Sequence, residues 1–191
     1  SETENMKILV EQLLFLARSD SDTIHLEKTL FDCGKMVEEI VRETRLIDPA
    51  HTFETRLDGP AYLEADQQLI KQVLRILVDN SIKYTPAGGT IQLKLWQEKD
   101  TIKIQVQDNG IGIAPADVPR IFDRFYRSDE SRARKTGGSG LGLAIVKWIV
   151  DNHGGYYEVL SRLEIGTRIT LSFPSAPKPP AHPGEGPSGS G

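Results

Sequence analysis

Three places in this chain combine residue types and spacings suited to chemistry. The first is Asp108-Asn109-Gly110-Ile111-Gly112-Ile113. The segment before it, residues 101–107, alternates polar and apolar side chains, so Asp108 shares the parity of Ile102, Ile104 and Val106 and should leave a strand on its buried side. A carboxylate there is costly unless protein or a ligand hydrogen-bonds it, and the glycines after it mark a sharp turn or a close approach of backbone. The second place is Asn80, Lys83 and Tyr84, which with Ile76 fall at helical spacing and line one edge of a helix. An amide on so apolar a helix is either a satisfied structural group or a ligand to something bound. The third is Gly137-Gly138-Ser139-Gly140-Leu141-Gly142, directly before a helical apolar repeat. Glycines that open a helix leave backbone N–H groups free at its positive end, a ready site for phosphate. The pattern is not Gly-x-Gly-x-x-Gly, because Leu143 takes the last place, and no Gly-Lys-Ser/Thr follows, so a dinucleotide fold and a P-loop ATPase are disfavoured.

Several elements must position these residues. A helix over 3–18 carries Met6, Leu9 or Val10, Leu13, and Leu16 or Ala17 at near-heptad spacing, fit for ordinary core or a dimer seam, and its start at Ser1 suggests half of a helical hairpin. A short strand follows at 28–32, then a helix at 33–47 with Met36, Val37, Ile40 and Val41 on one face, stopped by Pro49. Strands at 52–57 and 61–65 are joined around Asp58-Gly59-Pro60. Asp66 N-caps a helix running to Tyr84, whose buried face is Leu69, Ile70, Val73, Leu74 and Leu77, and Pro86 ends it. Strands at 90–98 and 101–107 form the hairpin that delivers Asp108. Residues 115–125 read as a short helix and turn. The polar run 128–136, anchored only by Ala133, is expected to be mobile. A helix at 143–153, the Gly154-Gly155 cap and strands at 156–161 and 167–173 close the domain, with Thr167 sharing the inward parity of Ile169, Leu171 and Phe173.

Composition sets the outer limits. At 191 residues and 38% hydrophobic content the chain can bury one sizeable core and a small appendage. Its 23 basic against 27 acidic residues offer no general field for a nucleic acid or an anionic membrane. Cys33, the single cysteine, is expected to be core in a reducing compartment, and the apolar runs are too short to span a bilayer. From Pro174 onward the chain holds six of its 11 prolines with Gly and Ser and reads as a disordered tail that leaves His182 exposed.

Taken in order, the motifs resemble those of sensor histidine kinases. Leu77-Val78-Asp79-Asn80-Ser81-Ile82-Lys83-Tyr84-Thr85 resembles their N box, residues 108–113 the G1 box, 121–127 the F box and 138–145 the G2 box. The similarity covers residues 24–173, and the first helix is similar to the second helix of the family's dimerisation hairpin. The resemblance implies an α+β fold, a two-layer α/β sandwich of the Bergerat type with a left-handed βαβ unit, in which a mixed five-stranded sheet carries helices on one face. It implies three regions: 1–22, half of a dimerisation hairpin; 23–173, an ATP-binding catalytic domain; and 174–191, the tail. By likeness, Asp108 accepts the adenine amino proton, Gly112 lets the base approach and Thr167 supports the same end, with Gly110 and Ile113 of the G1 box beside them. Asn80 holds Mg2+, Lys83 and Arg127 neutralise phosphate, and Tyr84 flanks the nucleotide. Residues 128–139 form a lid, Gly140 and Gly142 offer backbone N–H groups to phosphate, and Gly138 and Leu141 of the G2 box also belong to the nucleotide site. The implied partners are ATP, the parent protein's own dimerisation domain in a homodimer, and a response regulator, with the chain on the cytoplasmic side of a membrane-anchored protein and making no membrane contact itself.

Two departures shape the expected function. Position 76, where the family commonly has a polar residue and related hydrolases a carboxylate that activates water, is isoleucine, which argues against an ATP hydrolase. None of His25, His51, His153 and His182 lies in a phosphoacceptor motif, so no catalytic base or phosphoacceptor is identified and the fragment should bind ATP without autophosphorylating. The alternatives are a nucleotide-responsive regulatory module without phosphotransfer and a serine kinase of the anti-sigma type.

Overall fold

The computed structural model describes residues 1–127 and 140–180. The boundaries of its elements follow from local chemistry. Helix α1 (Glu2–Asp20) leads to β1 (Lys28–Asp32), and Asp32 then caps α2 (Cys33–Ile47) by accepting the Gly34 N–H at 2.8 Å. After β2 (Thr52–Leu57) and β3 (Tyr62–Asp66), Asp66 Oδ1 accepts the Leu69 N–H at 3.2 Å and opens α3 (Gln67–Tyr84). The hairpin β4 (Thr90–Glu98) and β5 (Thr101–Asp108) follows, then α4 (Gly142–Asn152), β6 (Tyr156–Arg162) and β7 (Gly166–Pro174).

A mixed five-stranded sheet in the order β2-β4-β5-β7-β6 forms one layer, with β2 and β4 parallel and the other neighbours antiparallel. Alternation sorts its two faces. Leu93, Leu95, Ile102, Ile104, Val106, Ile169, Leu171 and Phe173 are buried beneath α2, α3 and α4, whereas the alternate positions carry polar side chains such as Gln105, whose amide donates to Thr170 Oγ1 at 3.0 Å. Helix α2 lays down Met36, Val37, Ile40 and Val41, and α3 lays down Ile70, Val73, Leu74 and Leu77, each at 3-to-4-residue spacing. Cys33 is fully buried in this core, and burial, assisted by the neighbouring Asp32 charge, pushes its thiol up to about 12. The expected α+β sandwich is therefore present.

Four sequence expectations change. The strands flanking Asp58-Gly59-Pro60 do not pair with each other: β2 joins the large sheet, while β3 crosses to pair antiparallel with β1 in a separate two-stranded sheet. A turn signal fixes where the chain bends and leaves open which neighbour the next strand finds. The helix expected within 115–125 contracts to one 3-10 turn, Val118–Arg120. The near-heptad stripe of α1 is divided: Leu16 is buried, Leu9 packs against the core and Phe15 meets Trp148 of α4 edge-on, while Met6, Val10 and Leu13 are 63%, 47% and 42% exposed. Only the side of α1 that meets α4 is covered. Finally, Pro174 still belongs to β7, and Ser175 and Ala176 donate backbone N–H groups to Asp100 and Tyr62, so the hydrogen-bonded body extends past the expected start of the tail. The expected lid at 128–139, with Gly138, and His182 in the tail lie outside the described residues. Among the described residues no helix is long and apolar enough to cross a membrane.

Candidate functional site

Strand register builds the polar end of an otherwise apolar face. Across the sheet, Ile91, Asp108, Thr167 and Ser161 are direct neighbours, and the next inward row is Leu93, Val106, Ile169 and Val159. Asp108 thus stands at the last rung before the chain leaves β5, and it is only 9% exposed. Its Oδ1 accepts the Gly110 N–H at 2.9 Å and the Thr167 N–H at 3.3 Å. Burial raises the pKa of the carboxyl, against which the Gly110 N–H, the Ser81 hydroxyl and the Thr167 N–H act in the opposite direction, and the net value is above the ordinary one. The carboxylate is held from one side by its own loop and from the other by β7.

Thr167 belongs to a short relay. Ser161 Oγ accepts the Ile113 N–H at 2.8 Å and donates to the Gly166 carbonyl at 3.0 Å, so the contact of 2.8 Å between the two hydroxyls has Thr167 as donor. That leaves Thr167 Oγ1 as an acceptor. Two glycines are required here by close packing. Gly112 has φ +71°, and a Cβ on it would sit 2.1 Å from the Arg162 carbonyl oxygen; one on Gly110 would sit 2.3 Å from the Tyr84 carbonyl oxygen. The close approach that demands Gly112 is therefore to backbone of the β6–β7 turn, in addition to any approach by a ligand.

A cavity of about 850 Å3 opens beside this row, within the range of roughly 300 to 1,000 Å3 usual for small-molecule sites. Asn80, Lys83, Tyr84, Asp108, Gly112, Ile113, Arg127, Gly140, Gly142 and Thr167 all line it. Elements distant in sequence are brought together: the last turns of α3, the loop after β5, the segment ending at Arg127, the first residue of α4 and the start of β7. Val106, Ile111 and Ile169 supply an apolar wall next to Asp108. Asn80, the exposed Lys83 and Gly142, the first residue of α4, line the same cavity, and at that helix N-terminus backbone N–H groups and the helix dipole favour negative charge.

Not every expected residue reaches the cavity. Gly110 packs under Tyr84 instead, and Leu141 is fully buried in the core. Residues 121–127 divide their work: Phe122 packs on Tyr157 with ring centroids 4.4 Å apart, Arg120 lies 4.5 Å from the Tyr126 ring centroid, and the Tyr126 hydroxyl donates to Asp117. Phe125 is exposed and is tied back by its N–H to the Gly140 carbonyl at 2.9 Å. Sequence reasoning missed Ser81, although its helical phase with Ile70, Leu74 and Leu77 marks it as a buried polar residue on the sheet-facing side of α3. It also missed Ser161, although it shares the inward parity of Tyr157 and Val159, and the α1 residues Asn5, Leu9 and Gln12 that form one wall.

Two of the described histidines have structural roles. His153 Nε2 accepts the Asp66 N–H at 3.0 Å while its Nδ1 donates to the Ile149 carbonyl at 2.7 Å, and burial lowers its pKa. His51 lies 2.7 Å from Asp48 Oδ2 through Nδ1 and 2.6 Å from the Thr85 carbonyl through Nε2. His25 is exposed. Among the described residues no group of three or more His, Cys, Asp or Glu could hold a metal.

Comparison with known proteins points the same way. The family model for the histidine kinase-, DNA gyrase B- and HSP90-like ATPase matches residues 65–177. The sensor histidine kinase WalK of Bacillus subtilis (strain 168) is 39% identical over 178 residues, covering 91% of this chain and 29% of its own length. SenX3 of Mycobacterium tuberculosis (strain ATCC 25618 / H37Rv), a sensor-like histidine kinase, is 37% identical over 176 residues, covering 91% of this chain and 43% of its own. Among solved structures, full-length ShkA in complex with AMPPNP superimposes with TM-score 0.79 at 26% identity, covering 92% of this chain and 37% of that one. The mycobacterial sensor histidine kinase MprB does so with TM-score 0.69 at 28% identity, over 79% of this chain and 99% of that one. The chain thus spans less than half the length of these two curated relatives.

Proposed function

The chain belongs to the histidine kinase-, DNA gyrase B- and HSP90-like ATPase family and carries the ATP-binding catalytic domain of the sensor histidine kinases, and on that premise we propose that it delivers the γ-phosphoryl group of ATP to a histidine on a dimerisation hairpin. The observation that carries this reading is the convergence on one cavity of a buried acceptor carboxylate with an amide, an ammonium and a helix N-terminus. An adenine amino group is a donor, and Asp108, whose Oδ1 already serves the Gly110 and Thr167 N–H groups, has its second oxygen to offer as acceptor. Thr167 offers a second acceptor beside it. Val106, Ile111 and Ile169 exclude water from the base, Tyr84 flanks it, and Lys83, Arg127 and the N–H groups opening α4 offset phosphate charge.

Mg2+ fits the phosphate end through one hard donor, the Asn80 amide oxygen, with the phosphates supplying other oxygens; bound there, the ion neutralises charge on the transferring group. The residues named above position and neutralise; Ile76 cannot activate water, and a histidine acceptor brings its own nucleophilic nitrogen. In this reading α1 is the second helix of the hairpin, the acceptor helix is supplied by the parent protein as a homodimer anchored at the membrane, and a response regulator takes the phosphoryl group onward.

The experiment is to supply a complete hairpin, in cis or in trans, with γ-labelled ATP and Mg2+. Acid-labile phosphohistidine on the hairpin is expected. ATP binding without phosphate transfer would replace this reading with a nucleotide-responsive regulatory module, which Ile76 favours, and acid-stable phosphate on a partner would indicate a serine kinase.

A further inference from the structure

Helix α1 contributes a wall to the nucleotide cavity as well as a connection away from it. Its inward stripe is Asn5, Leu9, Gln12 and Leu16, spaced by four, three and four residues and therefore on one face of the helix. The helix is fixed at its far end. Arg124 makes a two-pronged ion pair to Asp20 at 2.8 and 2.7 Å, Leu16 is buried, and Phe15 meets Trp148 edge to face with centroids 5.5 Å apart. Because Trp148 lies on α4, docking at Phe15 and Leu16 carries the preceding turn of α1 toward the N-terminus of α4.

Gln12 occupies that turn. It is half-buried, it lines the cavity with Asn80, Lys83 and Gly142, and its Nε2 lies 3.9 Å from the position a Cβ would take on Gly142. Ile76 stands beside it, its Cγ2 2.9 Å from the same point. The phosphate end is thus flanked by an isoleucine from α3 and by an amide from α1. Leu9 and Leu16, the neighbours of Gln12 in the stripe, are apolar contacts with the body of the domain; Gln12 alone among these three brings donors, and it brings them to the end of the cavity where anionic charge is favoured.

We propose that Gln12 is a phosphate-contacting residue of the nucleotide site, its amide donating to a phosphate oxygen from α1 and supplying at this end the polar contact that position 76 lacks. The inference rests on the cavity being the ATP site. It makes α1 part of that site, so that nucleotide affinity and the docking of α1 on the catalytic body are linked, each strengthening the other to the same degree.

The test is to titrate the wild-type chain and Gln12→Leu, which keeps size and helix propensity but removes the donors, with Mg2+-ATP by calorimetry and with adenosine by NMR chemical-shift titration. One charge-assisted bond predicts an ATP affinity about tenfold lower in Gln12→Leu with adenosine binding unchanged, because adenosine carries no phosphate. Equal ATP affinity in the two proteins would overturn the proposal. So would a parallel loss of adenosine and ATP binding, which would assign Gln12 to the packing of the wall. Failure of the wild-type chain to bind ATP would instead overturn the reading of the cavity on which the proposal stands.

Discussion

Replacing Asp108 with asparagine isolates the chemistry of the cavity's buried end. The side chain keeps its shape, and its Oδ1 can go on accepting the Gly110 and Thr167 N–H groups at 2.9 and 3.3 Å. The change falls on the second oxygen, which becomes an NH2 group. A donor then faces the adenine amine, also a donor. Losing one charge-assisted hydrogen bond costs about 1.5 to 3 kcal/mol, so ATP affinity should fall by about 10- to 150-fold. Folding should suffer far less, because the substitution removes a charge whose burial is itself unfavourable, as the raised pKa shows. Calorimetric titration with ATP, run beside thermal unfolding, measures both quantities. An Asp108→Asn protein that binds ATP as tightly as the wild type would refute the assignment of the carboxylate to the base. A loss of melting temperature as severe as the loss of binding would show that Asp108 acts as a structural acceptor only.

Two further outcomes follow from the geometry around this end. His51 faces a carboxylate and a carbonyl, both acceptors, and only the imidazolium can donate to both; burial lowers its pKa, but the Thr85 carbonyl and Asp48 outweigh that, and the net shift is upward. Asp48 is the charged group facing it, and its own pKa is lowered, with burial opposed by the His51 and Ala50 hydrogen bonds. A raised histidine pKa contributes stability that is complete below its unfolded value of about 6.5 and is lost as pH rises through the folded value. Melting temperature should therefore decline from about pH 6.5 upward in the wild type, and the part of that slope owed to His51 should vanish in His51→Gln; identical slopes would discard the imidazolium bridge. Gly112→Ala forces a side chain at φ +71° against the Arg162 carbonyl. It should cost at least about 1 to 2 kcal/mol, a drop of about 2 to 8 °C in melting temperature, and an unchanged melting curve would mean that the turn yields freely.

The sequence by itself determined most elements and the chemistry at their ends. Asp66 as a cap, Pro86 as a stop and the 3.6-residue repeat between them define α3, because capping and periodicity act within a few residues of one another. The two-residue period likewise placed Asp108 on the buried side of β5, and the order of four motifs was enough to suggest what the carboxylate is for. Tertiary structure decided the rest. Which strand β3 pairs with depends on edges that become available only when the sheets assemble, so the turn at Asp58-Gly59-Pro60 carried no information about it. Gly110 and Leu141 sit inside nucleotide-binding motifs yet face Tyr84 and the core, because a motif fixes spacing along the chain and the surrounding backbone fixes direction. Ser161 reaches Thr167 only through the register of β6 on β7, and Gln12 reaches the cavity only because α1 docks on α4. Local interactions write themselves into sequence periodicity. Contacts between residues many positions apart are set by how whole elements pack, and in this protein those contacts complete the site.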